Sequence, residues 1–186
     1  MVAHAKGTVF LATIRFLKES FGEEGLTKVL ARLGPEERER METPVLPSAW
    51  YPVSLLLAIM RAAKAEFGAT MPDIYTRMGR SSADYSLSTV YSLVFKVSSP
   101  QWIVSRASAV FASYYDTGKM GAPENGKGFA TVELSDFGES APEFCERILG
   151  WSTRILEHCG AKRVKVEHLQ CRCRGDRTCR FKATWT

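Results

Sequence analysis

HLQCRCRGDRTCRF, residues 168–181, holds three of the chain's five cysteines and one of its three histidines. The flanking stretches RVKVEHLQCRC and TCRFKATW read as two strands joined around Arg174-Gly175-Asp176-Arg177, with Gly-Asp as a hairpin turn. The pattern His168-x2-Cys171-x7-Cys179 offers thiolates and an imidazole, the ligands that zinc prefers. A three-residue loop centred on Gly175 would set Cys171 opposite Cys179. A further ligand would come from the preceding helix, where Cys145 and Cys159 lie on or near the apolar face. Parity opposes this arrangement. His168 and Cys171 are three apart, so a regular strand points them to opposite faces, and only a bulge near Leu169-Gln170 reconciles them. Cys173 is displaced along the strand and is not expected to be a ligand. A metal site, a set of buried cysteines acting as small apolar residues, and a disulfide all remain open on spacing alone.

Working back from this hairpin, Ala141–Gly160 reads as a helix with Phe144, Cys145, Ile148, Ile155, Leu156 and Cys159 on or near one face. FATVEL (129–134) alternates as a strand, and APENGKG (122–128) reads as a turn-rich loop. Everything before about residue 120 looks helical. Phe10, Ile14, Leu17 and Phe21 make one apolar stripe. Leu26, Val29, Leu30 and Leu33 make the next, stopped by Gly34-Pro35. PEERERM (35–41) reads as a short charged turn, and TPVLPSAWYP (43–52) as an extended connector whose Trp50 and Tyr51 lie against the core. Helices are predicted at SLLLAIMRAAKAEFG (54–68), at 71–79 and at 100–115, the last closed by Asp116-Thr117-Gly118. The Ser-rich stretch 81–99 gives no clear pattern. A helical part over about 1–120 followed by β-α-β-β over about 121–186 predicts a single α+β domain, with helices packed on a small antiparallel sheet.

The totals exclude several classes. A chain of 186 residues, 45% hydrophobic and 24% charged, has the composition of a soluble globular protein. MVAHAKGTVF lacks the features of a secretory signal, and the longest apolar run, VSLLLAIM (53–60), is too short to span a bilayer. A cytoplasmic location is expected, and the odd cysteine count argues against a disulfide framework. Lys162, Arg163, Lys165, Arg172, Arg174, Arg177, Arg180 and Lys182 cluster at the end, against only Glu167 and Asp176. Without interleaved aromatic binding motifs they read as a solvated sheet face, and no nucleic-acid partner is expected.

GWSTRILEHCGAKRVKVEHLQCRCRGDRTCRFKATW (150–185) resembles the C-terminal half of the 4-vinyl-reductase-like small-molecule-binding domain. In aromatic-sensing activators with that domain, zinc is held by a helix cysteine, an acidic residue and two hairpin cysteines. The resemblance therefore implies a structural zinc on Cys145, His168, Cys171 and Cys179, with histidine in place of the acidic residue. KGTVFLATIRFLKESFGEEGL and DIYTRMGR look like the opening helices of the haem nitric-oxide/oxygen-binding domain, a fold related to the first and to subunits of the TRAPP vesicle-tethering complex. Over its whole length, including LPSAWYP and YYDTGKM, the chain is most similar to a family of uncharacterised myxobacterial proteins. Haem itself is not expected. ASAVFASYYDTGKM (107–120) has no histidine for an axial ligand, and the Tyr-x-Ser-x-Arg propionate motif is missing.

The resemblance implies a non-enzymatic ligand-binding or sensory module that signals through protein contacts. Its pocket would lie between helix 100–116 and the sheet, lined by Trp102, Phe111, Tyr114 and Phe129, and would suit a lipophilic molecule. The alternative is a dimerising adaptor resembling TRAPP components, a homodimer using the 53–60 helix as its face. A haem-based gas sensor or a reductase ranks below both. Gly126-Lys127-Gly128 is not a phosphate loop, no nicotinamide or flavin motif is present, and no Ser-His-Asp arrangement is persuasive, so enzyme activity is not expected.

Overall fold

The computed structural model describes residues 2–88 and 98–186. Helix α1 (Gly7–Ala31) kinks at Gly22, whose φ of 71° breaks the helical run between the two apolar stripes. Helices α2 (Pro35–Glu42), α3 (Val53–Phe67) and α4 (Ile74–Ser88) follow, then α5 (Pro100–Ser105) and α6 (Ala107–Ala112). The hairpin β3 (Lys119–Gly126) and β4 (Phe129–Ser135) leads to α7 (Pro142–His158) and the final strands, here β5 (Lys165–Gln170) and β6 (Cys179–Thr184). These four strands form an antiparallel sheet in the order β3-β4-β6-β5. Two short strands, β1 (His4–Lys6) and β2 (Trp50–Pro52), pair separately. The fold is α+β, as the order of patterns predicts.

Several local expectations are corrected. PEERERM belongs to a helix, because Pro35 stands in its first turn and the Glu37 carboxylate accepts the Gly34 N–H at 2.9 Å. APENGKG is mostly strand. A bulge between Gly121 and Glu124 admits Pro123 into an edge strand, which tolerates a missing N–H. The connector's end is strand β2, and Trp50 is 43% exposed with the Lys6 ammonium 5.5 Å above its ring, while Tyr51 packs on Phe10. Helix 100–115 is broken at Arg106. Of the Ser-rich stretch 81–99, residues 81–88 complete α4, and 89–97 lie outside the described residues. The 53–60 helix does not offer a dimer face: Val53, Leu55, Leu56, Leu57, Ile59 and Met60 are all buried in the chain's own core.

Helix α7 positions the functional residues, and its position is set by glycines. A Cβ on Gly150 would stand 1.9 Å from the Thr76 carbonyl oxygen of α4. One on Gly79 of α4 would stand 2.0 Å from the Arg147 oxygen of α7. The two backbones touch where side chains would otherwise hold them apart. Glu143 adds an ion pair to Arg61 of α3, and Arg80 pairs with Glu157 at 2.7 Å. Replacing Gly150 by Ala must push backbone from backbone. It is expected to lower stability by about 2 kcal/mol or more in urea unfolding, whereas Gly22→Ala, with nothing within 4 Å of an added Cβ, should act only through its φ.

Candidate metal centre and adjoining cavity

The irregularity that the sequence requires is present. In the β5–β6 ladder, His168 faces Phe181 and Gln170 faces Arg180, so Leu169 has no partner and is 51% exposed. With that residue bulged out, His168 and the ensuing Cys171 fall on the same side as Phe181 and Cys179. The connection is longer than a three-residue hairpin. Cys171 follows the strand in extended conformation, residues Arg172–Arg174 form a turn of 3-10 helix, and Gly175 takes the left-handed φ of 92° that returns the chain. Asp176 fixes this loop by accepting the Cys171 N–H at 2.7 Å.

Cys145, in the first turns of α7, meets the hairpin there. Single ligand atoms of Cys145, His168, Cys171 and Cys179 all lie within 4.8 Å of one another. The Cys145 sulfur is 3.9 Å from Cys171 Sγ and 3.7 Å from Cys179 Sγ. Tetrahedral thiolates at the usual zinc–sulfur bond length of about 2.3 Å stand about 3.8 Å apart. His168 Nε2 is buried without a hydrogen-bond partner, and its ring is held by stacking on Phe181 at 4.6 Å. An imidazole nitrogen buried without a partner in a cluster with three sulfurs has the chemistry of a fourth metal ligand. The cluster can therefore hold a metal ion.

The sulfurs are electrostatically unequal. The pKa of Cys179 is lowered because the Cys145 thiol donates to it, against its burial, with further help from the Arg172 N–H and Cys171. Cys145 is correspondingly pushed up, first by that same hydrogen bond and then by burial. These hydrogen bonds favour the thiolate form at Cys179 and the thiol form at Cys145. Cys159 is buried elsewhere, its thiol pushed up to about 11 by burial alone. Cys173 is exposed, 3.2 Å from Ser140 Oγ, and stands outside the cluster.

Beside the centre lies a cavity of about 110 Å3 between α1, α4, α5, α6, α7 and the inner face of the sheet. Of the expected lining residues, Phe111 and Tyr114 are in its wall. Trp102 and Phe129 are not: they are 41% and 42% exposed. Trp102 turns outward on the short α5, with Arg106 over its ring at 5.2 Å, and Phe129 opens β4 at the sheet's rim. Ile103, Val110, Ile148, Trp151 and Val166 complete the apolar wall. Phe144 and Phe181 line it too, next in sequence or by stacking to the metal ligands. Arg147 also lines it, a residue sequence reasoning missed. Its signal was the spacing 144, 147, 148, 151, 155, which puts a cation inside the apolar stripe of α7.

No protein-family model and no curated protein sequence matches the chain. Solved structures do. An H-NOX protein from S. oneidensis in the Fe(II)NO ligation state matches with TM-score 0.76 and 14% identity, covering 97% of this chain and 99% of that one. The unliganded Fe(II) H-NOX protein from K. algicida gives 0.72 at 12% identity, over 97% and 96%. An oxygen-binding H-NOX domain related to soluble guanylate cyclases gives 0.69 at 13%, over 97% and 95%. The chain thus has the H-NOX, or haem nitric-oxide/oxygen-binding, fold, and at these identities the likeness is one of fold alone.

Those neighbours are iron proteins, so the fold lends no support to the expectation against haem. The residues themselves can be tested for fit. His4 bonds Asp116, His158 bonds Asp84, and His168 belongs to the metal cluster, so no histidine stands in the cavity wall among the described residues. The cavity, about 110 Å3, is of the order of the ~150 Å3 void that holds one benzene ring in an engineered protein core, well short of the room a tetrapyrrole needs. The described wall does not fit a histidine-ligated macrocycle. Tyr114, Tyr115 and Met120 are the other iron-binding side chains it contains.

Burial separates the thiols sharply. Native protein treated with a thiol-specific chromogenic disulfide should show one fast-reacting group per chain, lost in Cys173→Ser, with the remaining cysteines reacting only on unfolding.

Proposed function

We propose that this chain is a ligand-binding sensory module, with a cavity for a small lipophilic molecule and a terminal hairpin fastened to α7 by a structural zinc. The observation that carries the reading is the apolar cavity walled by the helices, the inner sheet face and two residues, Phe144 and Phe181, that adjoin the metal ligands. Its volume suits a molecule of about one ring, and its wall offers dispersion contacts with few polar atoms. Zinc is favoured over other cations by three sulfurs and one imidazole whose ligand atoms lie within 4.8 Å of one another. A closed set of protein ligands makes the ion structural, and the resemblance of the hairpin to 4-vinyl-reductase-like domains points the same way. Thiol ligands left unbridged suit a reducing cytoplasm. The module acts without catalysis: occupancy of the cavity changes how it contacts a signalling partner.

Zinc loading is tested by native mass spectrometry of untagged protein. One zinc per chain is expected. Cys179→Ser should lose it and melt roughly 10 °C lower, while Cys173→Ser should keep it. Metal-free protein that melts as the loaded protein does would overturn the zinc assignment.

Cavity binding is tested with toluene, a neutral one-ring probe. Saturating toluene should raise the melting temperature and change Trp151 fluorescence, and Ile148→Trp, which fills the cavity, should abolish both effects. Absence of any effect in the wild type would overturn the cavity reading. A Soret band on adding haem, with toluene inert, would replace it by a haem protein.

A further inference from the structure

Arg147 is 4% exposed, and among the described residues no carboxylate pairs with it. Its Nη2 donates to Ser82 Oγ and, at 3.4 Å, to the Val9 carbonyl. Its Nη1 is buried with no partner. Among the described residues the titratable side chain acting on it is the phenol of Tyr115, which hydrogen-bonds the guanidinium and which burial keeps neutral. Glu143, one turn earlier on α7, is taken by Arg61. The segment 89–97, TVYSLVFKV, contains no acidic residue that could serve. Burial depresses the guanidinium's pKa, but arginine keeps its proton in proteins. An unpaired buried cation is costly, and native cores resolve it with an anion.

A second orphan shares the same wall. Thr8 Oγ1 is buried and without a partner, and Thr8 and Arg147 both line the cavity. Val9, whose carbonyl receives Arg147 Nη2, directly follows Thr8. Ser82, Ser86, Ser152, Tyr114 and Tyr115 also line the cavity, and its other described side chains are apolar. Arg147 is the one charged side chain of the described wall, so the cavity has a polar corner with a single positive charge, a hydroxyl and an unused guanidinium N–H.

We infer that the cavity's ligand is a small monocarboxylic acid, its apolar body against Ile103, Val110, Phe111 and Trp151 and its carboxylate on Arg147 Nη1 and the Thr8 hydroxyl. This rests on the cavity reading above and adds the chemical class. One negative charge balances one guanidinium, and the carboxylate oxygens accept from both donors. A phosphate would bring more charge than this corner offsets. Benzoate has one ring and one carboxylate, which makes it the matching probe, with toluene as its uncharged counterpart.

Calorimetric titration of the full chain with each probe decides the matter. Benzoate should bind wild-type protein about tenfold more tightly than toluene, the ratio that one charge-assisted hydrogen bond supplies. Arg147→Met should erase that preference and leave toluene binding in place, with folding checked by circular dichroism. Thr8→Val, a milder change, should weaken benzoate several-fold and spare toluene. Toluene binding as tightly as benzoate in the wild type would overturn the carboxylate assignment and leave the cavity reading intact. So would Arg147→Met that still prefers benzoate. If neither probe binds, the cavity reading falls and the assignment with it.

Discussion

The backbone contact between α4 and α7 is the constraint from which the other geometry follows. With Gly79 and Gly150 at the crossing, the Thr76 and Arg147 carbonyls approach distances that any Cβ would forbid. Close approach buries α7 on more than one side, so residues that a surface helix would turn to solvent lie inside. Glu143, Phe144, Cys145 and Arg147 are all buried within its first turns. Cys145 then reaches the terminal hairpin, and Arg147 reaches the cavity. A thiol and a guanidinium two residues apart are about 200° apart around a helix, which is why one element serves two different sites.

The cysteine–histidine cluster lies where helix α7 meets the terminal hairpin. Three of its residues come from the hairpin and one from α7, so an ion held there would close a long loop of chain and tie the sheet's β5–β6 edge to the helical layer. The loop residues set the sulfurs in place. Asp176 holds the turn at Cys171, the Arg172 N–H points at Cys179, and the hydrogen bonds that Cys179 accepts favour its thiolate form. Phe181, stacked on His168 and also in the cavity wall, sets the two sites side by side.

The sequence was informative where a single periodicity dominates. The stripes of α1, α3 and α7 and the alternation of β4 follow from burial on one face, and the helix-then-sheet order yields the α+β class. It was less informative where pairing partners are distant. Strands β1 and β2 are three residues each and exist because they meet across some forty-five positions, which no local pattern records. Residues 122–126 read as a loop because Pro, Asn and Gly dominate them, but a bulged edge strand accepts all three. Among site residues, spacing alone left the cysteines ambiguous, and the ligand set came from the family resemblance. The expected pocket lies where the structure has a cavity, but two of its four expected lining residues are elsewhere: Trp102 and Phe129 are 41% and 42% exposed, while α1, α4 and α7 contribute wall residues that the helix 100–116 stripe could not reveal. Arg147 was passed over because a cation in an apolar stripe looks like an imperfection of the pattern.

The unpaired Leu169 has a consequence for how this motif can be compared between proteins. It contributes no rung to the ladder and its side chain is half exposed. A regular strand brings residues two apart onto one face, so a hairpin lacking this residue would present the same histidine and cysteine with one residue between them rather than two. Insertions and deletions at this point are silent in three dimensions, and an alignment that demands fixed ligand spacing would divide equivalent sites into unrelated ones. The number of residues between the ligands records the bulge, and the metal geometry is indifferent to it.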